Sequence, residues 1–247
     1  WKERMPNHTY NEYQIRKDEP VNARYYYRTN GLVNLDKSNM PSYQPEAYQK
    51  PGCPIIVDLN GDGLITVEDV DMKNVIPSLY WGFGNTFTYK NWDLDVFIYS
   101  QLGVDKYNDV YSWTSGRGLG NQTNNMSVYI KDVWHSELNP NGTIPGIAYE
   151  MASVSLPGGA GTDIGYENSS FVRVRNITLG YNFKPNQLGA LSKLLSGIRV
   201  YVDVQNPFTF TGYTGLDPEV NTGGNYKGGK AEYPQTRTFS LGAKLSF

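Results

Sequence analysis

Five stretches of the chain alternate apolar and polar residues with a period of two, which predicts strands whose two faces meet different surroundings. They span residues 79–90, 92–103, 170–183, 198–211 and 236–247. The segment 22–33 is a weaker sixth candidate. The pattern therefore predicts an all-β fold with about six long strands.

The length of these strands separates two kinds of β protein. Each stretch covers roughly 12 to 14 residues, whereas the strands of globular proteins usually have ~5–6. A strand that crosses an outer membrane at its usual tilt needs ~9–11 residues. Long strands with one apolar and one polar face favour a transmembrane antiparallel β-barrel, which turns one face to lipid and the other to its lumen.

The connectors between the strands alternate in length. Segments 34–78, 104–169 and 212–235 are long, whereas 90–91 is a tight turn and 184–197 is of moderate length. Outer-membrane barrels have short periplasmic turns and long extracellular loops. The alternation predicts that the three long connectors lie outside the cell.

Composition narrows the classes of function. The net charge is −2 with no basic stripe, which argues against a nucleic-acid partner. No apolar run reaches the ~20 residues that a membrane helix needs, but a barrel strand exposes only every second residue to lipid. Tyrosine is abundant, with 20 residues, and is typical of membrane-interface girdles. The chain starts at Trp1 without a signal peptide, so export predicts further residues upstream.

A secreted, calcium-stabilised β-sandwich that binds carbohydrate is the alternative prediction, because sandwich strands also alternate. The 66 residues of 104–169 are unusually long for a loop of such a domain. A sandwich would be soluble without detergent. It would also pack the apolar strand residues against a second sheet; these include Phe83, Leu94, Leu179, Val202 and Leu241.

Residues 58–69 match the twelve-residue calcium-loop pattern, which has oxygen ligands at positions 1, 3 and 5 and glycine at position 6. The predicted ligands are Asp58, Asn60, Asp62, the Leu64 carbonyl, Thr66 and Asp69. Position 12 is Asp69 rather than glutamate, so we expect a weaker Ca²⁺ site or one that accepts Mg²⁺. A turn rich in glycine and aspartate without metal is the alternative.

Catalytic constellations are absent from the sequence. There is no Gly-x-Ser-x-Gly elbow, and His8 and His135 lack metal-ligand spacing. Asp93 and Asp95 share a predicted strand face, where solvated lumen charges are the simpler interpretation. The sequence therefore predicts a protein that is not an enzyme, and an extracellular hydrolase lacks an acid–base pair.

Several motifs resemble the C-terminal part of SusC/RagA-type TonB-linked outer-membrane transporters. They are 58–69, 77–83 (PSLYWGF), 171–181 (FVRVRNITLGY), 204–213 (VQNPFTFTGY), 215–219 (GLDPE) and 233–242 (YPQTRTFSLG). The resemblance implies a 22-stranded barrel in a Gram-negative outer membrane. It also implies a plug that fills the remaining barrel, TonB, a SusD-like lipoprotein lid and import of glycan or peptide oligomers.

Individual residues receive roles on this interpretation. Aromatic residues of the 104–169 loop, namely Tyr107, Tyr111 and Trp113, are predicted to contact substrate. Phe247 ends an amphipathic strand and is predicted to act as a barrel-insertion signal. The predicted lumen-facing side chains are Tyr80, Asp93, Tyr99, Arg199, Tyr201 and Asp203.

Overall fold

The computed structural model describes residues 24–108, 111, 127–146, 156–157, 161–220 and 233–247. The strands in these segments are β1 Arg24–Tyr27, β2 Thr29–Leu32, β3 Pro54–Ile56, β4 Val70–Lys73, β5 Leu79–Tyr89, β6 Trp92–Leu102, β7 Asp105–Tyr107, β8 Tyr166–Asn168, β9 Phe171–Phe183, β10 Gly197–Thr211 and β11 Thr238–Ser246. Short 3-10 turns cover Glu46–Tyr48, Val128–Asp132, Pro185–Gln187 and Gly189–Lys193. No helix in the described segments combines the length and apolar character needed to cross a bilayer.

The five long strands form one antiparallel sheet in the order β5-β6-β9-β10-β11. Each lies within two residues of its predicted bounds, so the alternating pattern located them correctly. The two-residue connection 90–91 closes the β5–β6 hairpin. Lys90 has a φ of 57°, the left-handed conformation that tight hairpin turns require at their first central residue.

The register places apolar residues beside one another across the whole sheet. One row runs Phe87, Leu94, Leu179, Val202 and Leu241, one residue from each strand. These side chains are exposed, up to 78% for Leu241, except for Leu94, which is half-buried. The sheet therefore carries a continuous apolar face that the rest of the described chain leaves uncovered.

The adjacent row across the sheet has the opposite character. It runs Thr88, Asp93, Gly180, Tyr201 and Gly242. Because neighbouring residues of a strand point to opposite faces, this row lies on the far side of the sheet from the apolar row. The two-faced strands predicted from the sequence are therefore present in the structure.

The buried core of the described chain lies outside this sheet. It consists of Tyr25, Tyr27, Tyr48, Cys53, Ile56, Val70 and Leu156, and all but Leu156 belong to the segments that precede β5. The sandwich alternative requires a second sheet on the apolar face, and the other sheets of the described segments have only two strands each. The structure gives that alternative no support.

The sixth predicted strand, 22–33, is wrong as a member of the main sheet. Its described residues divide mainly between β1 and β2, which pair with β4 and β3 in separate small sheets. Tyr25, Tyr26 and Tyr27 are all buried, so this segment has no exposed apolar face to turn to lipid. Gly31, with a φ of 73°, also interrupts the extended backbone. In the part of the chain that the structure describes, the main sheet has five strands.

An ion pair lies flat across the middle strand of the polar face. Asp93 of β6 accepts a hydrogen bond of 3.1 Å from the Arg199 Nε of β10, and Gly180 of β9 lies between them. A Cβ atom on Gly180 would lie 2.6 Å from both Arg199 Nη2 and Asp93 Oδ2. The missing side chain of Gly180 is therefore what allows the pair to form.

We expect Gly180→Ala to destabilise the full-length protein by about 1–3 kcal/mol, because the added methyl forces the ion pair apart. Thermal unfolding in detergent micelles measures the effect. Gly84→Ala is the matched control, since its Cβ would make only an ordinary 3.6 Å contact with Phe97. Equal losses in the two variants would contradict the explanation.

Candidate functional site

The polar face of the sheet forms a hydrogen-bonded wall. The Thr178 hydroxyl donates to Asp203 Oδ1 at 2.6 Å, and Asn182 Nδ2 donates to Asp93 Oδ1 at 2.6 Å. The six predicted lumen residues all follow the register of this face: Tyr80, Asp93, Tyr99, Arg199, Tyr201 and Asp203. Their common face agrees with the prediction, and the wall offers donors and acceptors to water or a polar solute.

The long connectors pack against one another at one end of the sheet. The Tyr27 N–H donates to the Gly161 carbonyl at 3.0 Å, and the Thr29 hydroxyl donates to Asp163 Oδ1 at 2.7 Å. The Gly146 N–H donates to the Gly52 carbonyl at 3.0 Å. These bonds join residues of the chain before β5 to residues of the 104–169 connector. Residues 24–78 and the described residues of 104–169 thus form a packed cluster, which we call the loop cluster.

The loop cluster carries a cavity of about 440 Å³ that is open to solvent. Its lining includes three tyrosines and two carboxylates: Tyr111, Tyr129, Tyr166, Asp163 and Glu167. The Tyr111 and Tyr129 rings meet edge to face with centroids 5.5 Å apart. Glu167 accepts hydrogen bonds of 2.8 Å from Asn108 Nδ2 and from the Thr214 N–H, which fix its position. Aromatic faces beside fixed carboxylates can bind a ligand rich in hydroxyl or N–H groups.

The three predicted substrate residues have different positions. Tyr111 lines the cavity, whereas Tyr107 lies over Gly165 and packs its ring 5.2 Å from that of Tyr166. Trp113 lies outside the described residues. Tyr129 and Tyr166 also line the cavity, and no local sequence pattern marks them, because only contacts between distant segments bring them there.

The 58–69 loop follows the backbone path of the predicted motif. Gly61 and Gly63 have φ angles of 75° and 81°, and their N–H groups donate to the two Asp58 carboxylate oxygens at 2.7 and 2.8 Å. Loss of solvent alone would raise the pKa of Asp58, but the hydrogen bonds from Gly63 and Gly61 outweigh it and lower the pKa. Asp58 is therefore charged and holds the turn closed.

The other predicted ligands are engaged within the same loop. Asp69 is fully buried and accepts hydrogen bonds from the Leu59 N–H at 3.0 Å and the Thr66 N–H at 2.7 Å. Asp62 accepts a hydrogen bond from the Leu64 N–H at 2.8 Å, and Asn60 accepts one from the Asp62 N–H at 3.0 Å. In the described segments, no three His, Cys, Asp or Glu side chains group closely enough to hold a metal ion. The backbone fits the motif, while the carboxylates bond to backbone N–H groups.

A buried arginine was not anticipated as a functional residue. Arg173 of β9 is 2% exposed and donates to Asp217 at 2.9 Å, to Glu219 at 2.5 Å and to the Thr209 hydroxyl at 2.9 Å. Burial raises the pKa of Asp217, but the N–H groups of Glu219 and Gln235 and the Arg173 guanidinium outweigh it and lower the pKa. The one feature of the sequence that points to this ion pair is a charged residue, Arg173, between the apolar residues Val172 and Val174 of β9.

Phe247 lies just beyond β11 and is 90% exposed. Its carbonyl accepts a hydrogen bond of 3.3 Å from the Ser196 hydroxyl, in the connector between β9 and β10. This places Phe247 at the end of the sheet that carries the short connectors. Its role as an insertion signal stays a prediction.

Comparison with known proteins gives relatives of one kind. No protein-family model matches the chain. The TonB-dependent receptor P3 of Formosa agariphila is 28% identical over 242 residues, which are 94% of this chain and 23% of that receptor. The TonB-dependent receptor SusC of Bacteroides thetaiotaomicron is 33% identical over 208 residues, which are 82% of this chain and 19% of SusC.

Solved structures agree on the fold. A structure of the RagAB peptide transporter superposes with a TM-score of 0.67 and 22% identity, over 98% of this chain and 24% of that chain. The RagAB peptide importer in its open-open state superposes with a TM-score of 0.61 and 24% identity, over 91% of this chain and 22% of that chain. The chain thus spans about a quarter or less of the proteins it matches. This chain belongs to the SusC/RagA-type TonB-dependent receptors, a family of outer-membrane proteins of Gram-negative bacteria.

Proposed function

We propose that the chain forms part of the wall of an outer-membrane β-barrel that imports nutrient oligomers, either glycans or peptides. The observation that carries the proposal is the five-stranded sheet with one continuous apolar face and one polar face. Lipid would contact the row that includes Phe87, Leu179 and Leu241, and the lumen would contact the row that includes Asp93 and Tyr201.

The open edges of the sheet support a larger barrel. Among the described strands, β5 and β11 each pair with only one neighbour. In hydrocarbon, an unpaired strand edge leaves N–H and C=O groups without partners at several kcal/mol each, so spanning sheets close into barrels. We infer that further strands of the same protein complete the barrel, 22 in all. A plug inside it and TonB on the periplasmic side would couple import to energy.

The loop cluster is proposed as the extracellular side that meets substrate and lid. All three long connectors belong to one end of the sheet, and the cavity of about 440 Å³ lies among them. RagAB is a peptide transporter, and SusC is a TonB-dependent receptor. By analogy we propose that a SusD-like lipoprotein covers this end and delivers the glycan or peptide.

The import function is tested by deleting the gene in the source bacterium and restoring it. Fluorescent oligosaccharides and fluorescent oligopeptides are supplied separately, with and without a protonophore that removes the energy for TonB. We expect the protein in the outer-membrane fraction, and uptake of one cargo class to need both the gene and the energised membrane. Recovery in the soluble fraction, or uptake of both classes without the gene, would overturn the proposal.

We also propose that the 58–69 loop binds Ca²⁺, or Mg²⁺ more weakly, and so rigidifies the loop cluster. Oxygen atoms of Asp58, Asn60, Asp62, Leu64, Thr66 and Asp69 would hold the ion. The support is the backbone path of the loop, in which Gly61 and Gly63 adopt the left-handed conformation that a tight metal loop needs. The ion would replace backbone N–H groups as partner of the carboxylates.

Calcium should raise the unfolding temperature of the full-length protein in detergent, and Asp58→Asn should abolish that rise by removing a charged ligand at position 1. Asp71→Asn is the control, because Asp71 lies outside the loop and pairs with Arg28 at 2.8 Å. Equilibrium dialysis with Ca²⁺ and then Mg²⁺ identifies the ion. No bound ion in the unmutated protein would refute the site.

Substrate contact is tested at the tyrosines and Trp113. We expect Tyr111→Ala or Trp113→Ala to weaken binding of the imported oligomer about two- to tenfold, since an aromatic contact contributes about 0.5–1.5 kcal/mol. Tyr107→Ala should have a smaller effect, because Tyr107 packs against Tyr166. Tyr233→Ala is the control, with a side chain 82% exposed and absent from the cavity lining. Unchanged binding in the first two variants would exclude these contacts.

A further inference from the structure

The connector after β10 does not project freely from the sheet. Its described residues 212–220 fold back over the polar face near the start of β9. Tyr213, Asp217 and Val220 are buried, with at most 8% of each residue exposed. We call residues 213–220 the returning segment.

Two basic side chains bind the returning segment through hydrogen bonds. Arg173 donates to the side chains of Asp217 and Glu219, and Lys106 of β7 donates to the carbonyls of Pro218 and Val220 at 2.5 Å. Asp217 in turn accepts hydrogen bonds from the Glu219 N–H at 2.8 Å and the Gln235 N–H at 2.9 Å. The buried charges are paired and hydrogen-bonded, which is the condition for holding them away from water.

The register decides which face the segment covers. Arg173 pairs with Tyr99 of β6 and with Thr209 of β10. Tyr99 lies on the polar face, at even spacing from Asp93 along β6. The irregularity in β9 between positions 174 and 176 shifts the alternation and brings Arg173 to this face. Without that bulge, Arg173 would point to the apolar side.

We propose that the returning segment folds into the mouth of the pore as a fixed constriction, and that Arg173 is the residue that positions it. The inference rests on the proposed function, because the polar face is the pore wall only in a barrel. It adds a structural determinant of which cargo can pass. Leu216, at the tip of the segment and 60% exposed, would face the entering solute.

The position of the segment is tested by labelling single cysteines from outside intact cells that make the full-length protein. A small membrane-impermeant maleimide should label Leu216→Cys and also Leu138→Cys, which is 84% exposed in the loop cluster. A polyethylene-glycol maleimide too bulky to enter the barrel should label only Leu138→Cys. The unmutated protein, whose Cys53 is fully buried, is the background. Equal labelling of both cysteines by the bulky reagent would overturn the constriction.

The role of Arg173 is tested in the same assay. Arg173→Met should raise labelling of Leu216→Cys by the bulky reagent to the level of Leu138→Cys, because Asp217 and Glu219 lose the Arg173 guanidinium and the segment swings outward. Arg175→Met is the matched control, since Arg175 is the more exposed arginine and bonds to Glu219 without reaching Asp217 in the described residues. Labelling that stays blocked in Arg173→Met would reject Arg173 as the positioning residue.

Two further measurements distinguish a failure of the constriction from a failure of the proposed function. If Arg173→Met does not assemble, Glu219→Gln tests the same contact, and labelling of Leu216→Cys in the otherwise unmutated protein still decides the constriction. Absence of the protein from the outer-membrane fraction would count against the proposed function itself. Energy-dependent uptake together with an open Leu216→Cys would count against the constriction alone.

Discussion

Backbone hydrogen bonding in a medium without water is the constraint on which this structure depends. A strand that crosses lipid must give every N–H and C=O group to a neighbouring strand, so its side chains alone distinguish inside from outside. The register of the five-stranded sheet meets this condition for the inner strands and aligns the apolar residues into rows. The same pairing that satisfies the backbone therefore creates the two faces.

The loop cluster obeys a different rule. Its residues meet water, so it folds around a small core in which Tyr25, Tyr27 and Tyr48 are fully buried. The Tyr27 hydroxyl donates to the carbonyls of Thr66 and Pro157 at 2.9 Å, which connects the calcium-type loop to the long connector. One chain thus combines a membrane-type sheet without a core and a globular-type cluster that has one.

Periodicity predicted the sheet because the cause of the pattern is local: neighbouring residues of one strand face different media. The loop cluster offers no such signal. Segment 22–33 resembled a strand for the sheet, yet its consecutive buried tyrosines serve the cluster core. The Arg173 contacts with Asp217 and Glu219 depend on a bulge and on residues over forty positions away, which no local pattern encodes.

The glycines of the polar face allow large neighbouring side chains to lie flat on the sheet. Gly180 leaves room for the Asp93–Arg199 pair, and Gly242 leaves room for the Tyr201 ring. The side chains of Arg199 and Tyr201 consequently lie across the neighbouring strands, and the ion pair balances the charge of Asp93. Asp95 and Asp203 on the same face have threonine hydroxyls as partners instead of a cation. The excess of carboxylates over guanidinium groups would make this patch attract cations more than anions.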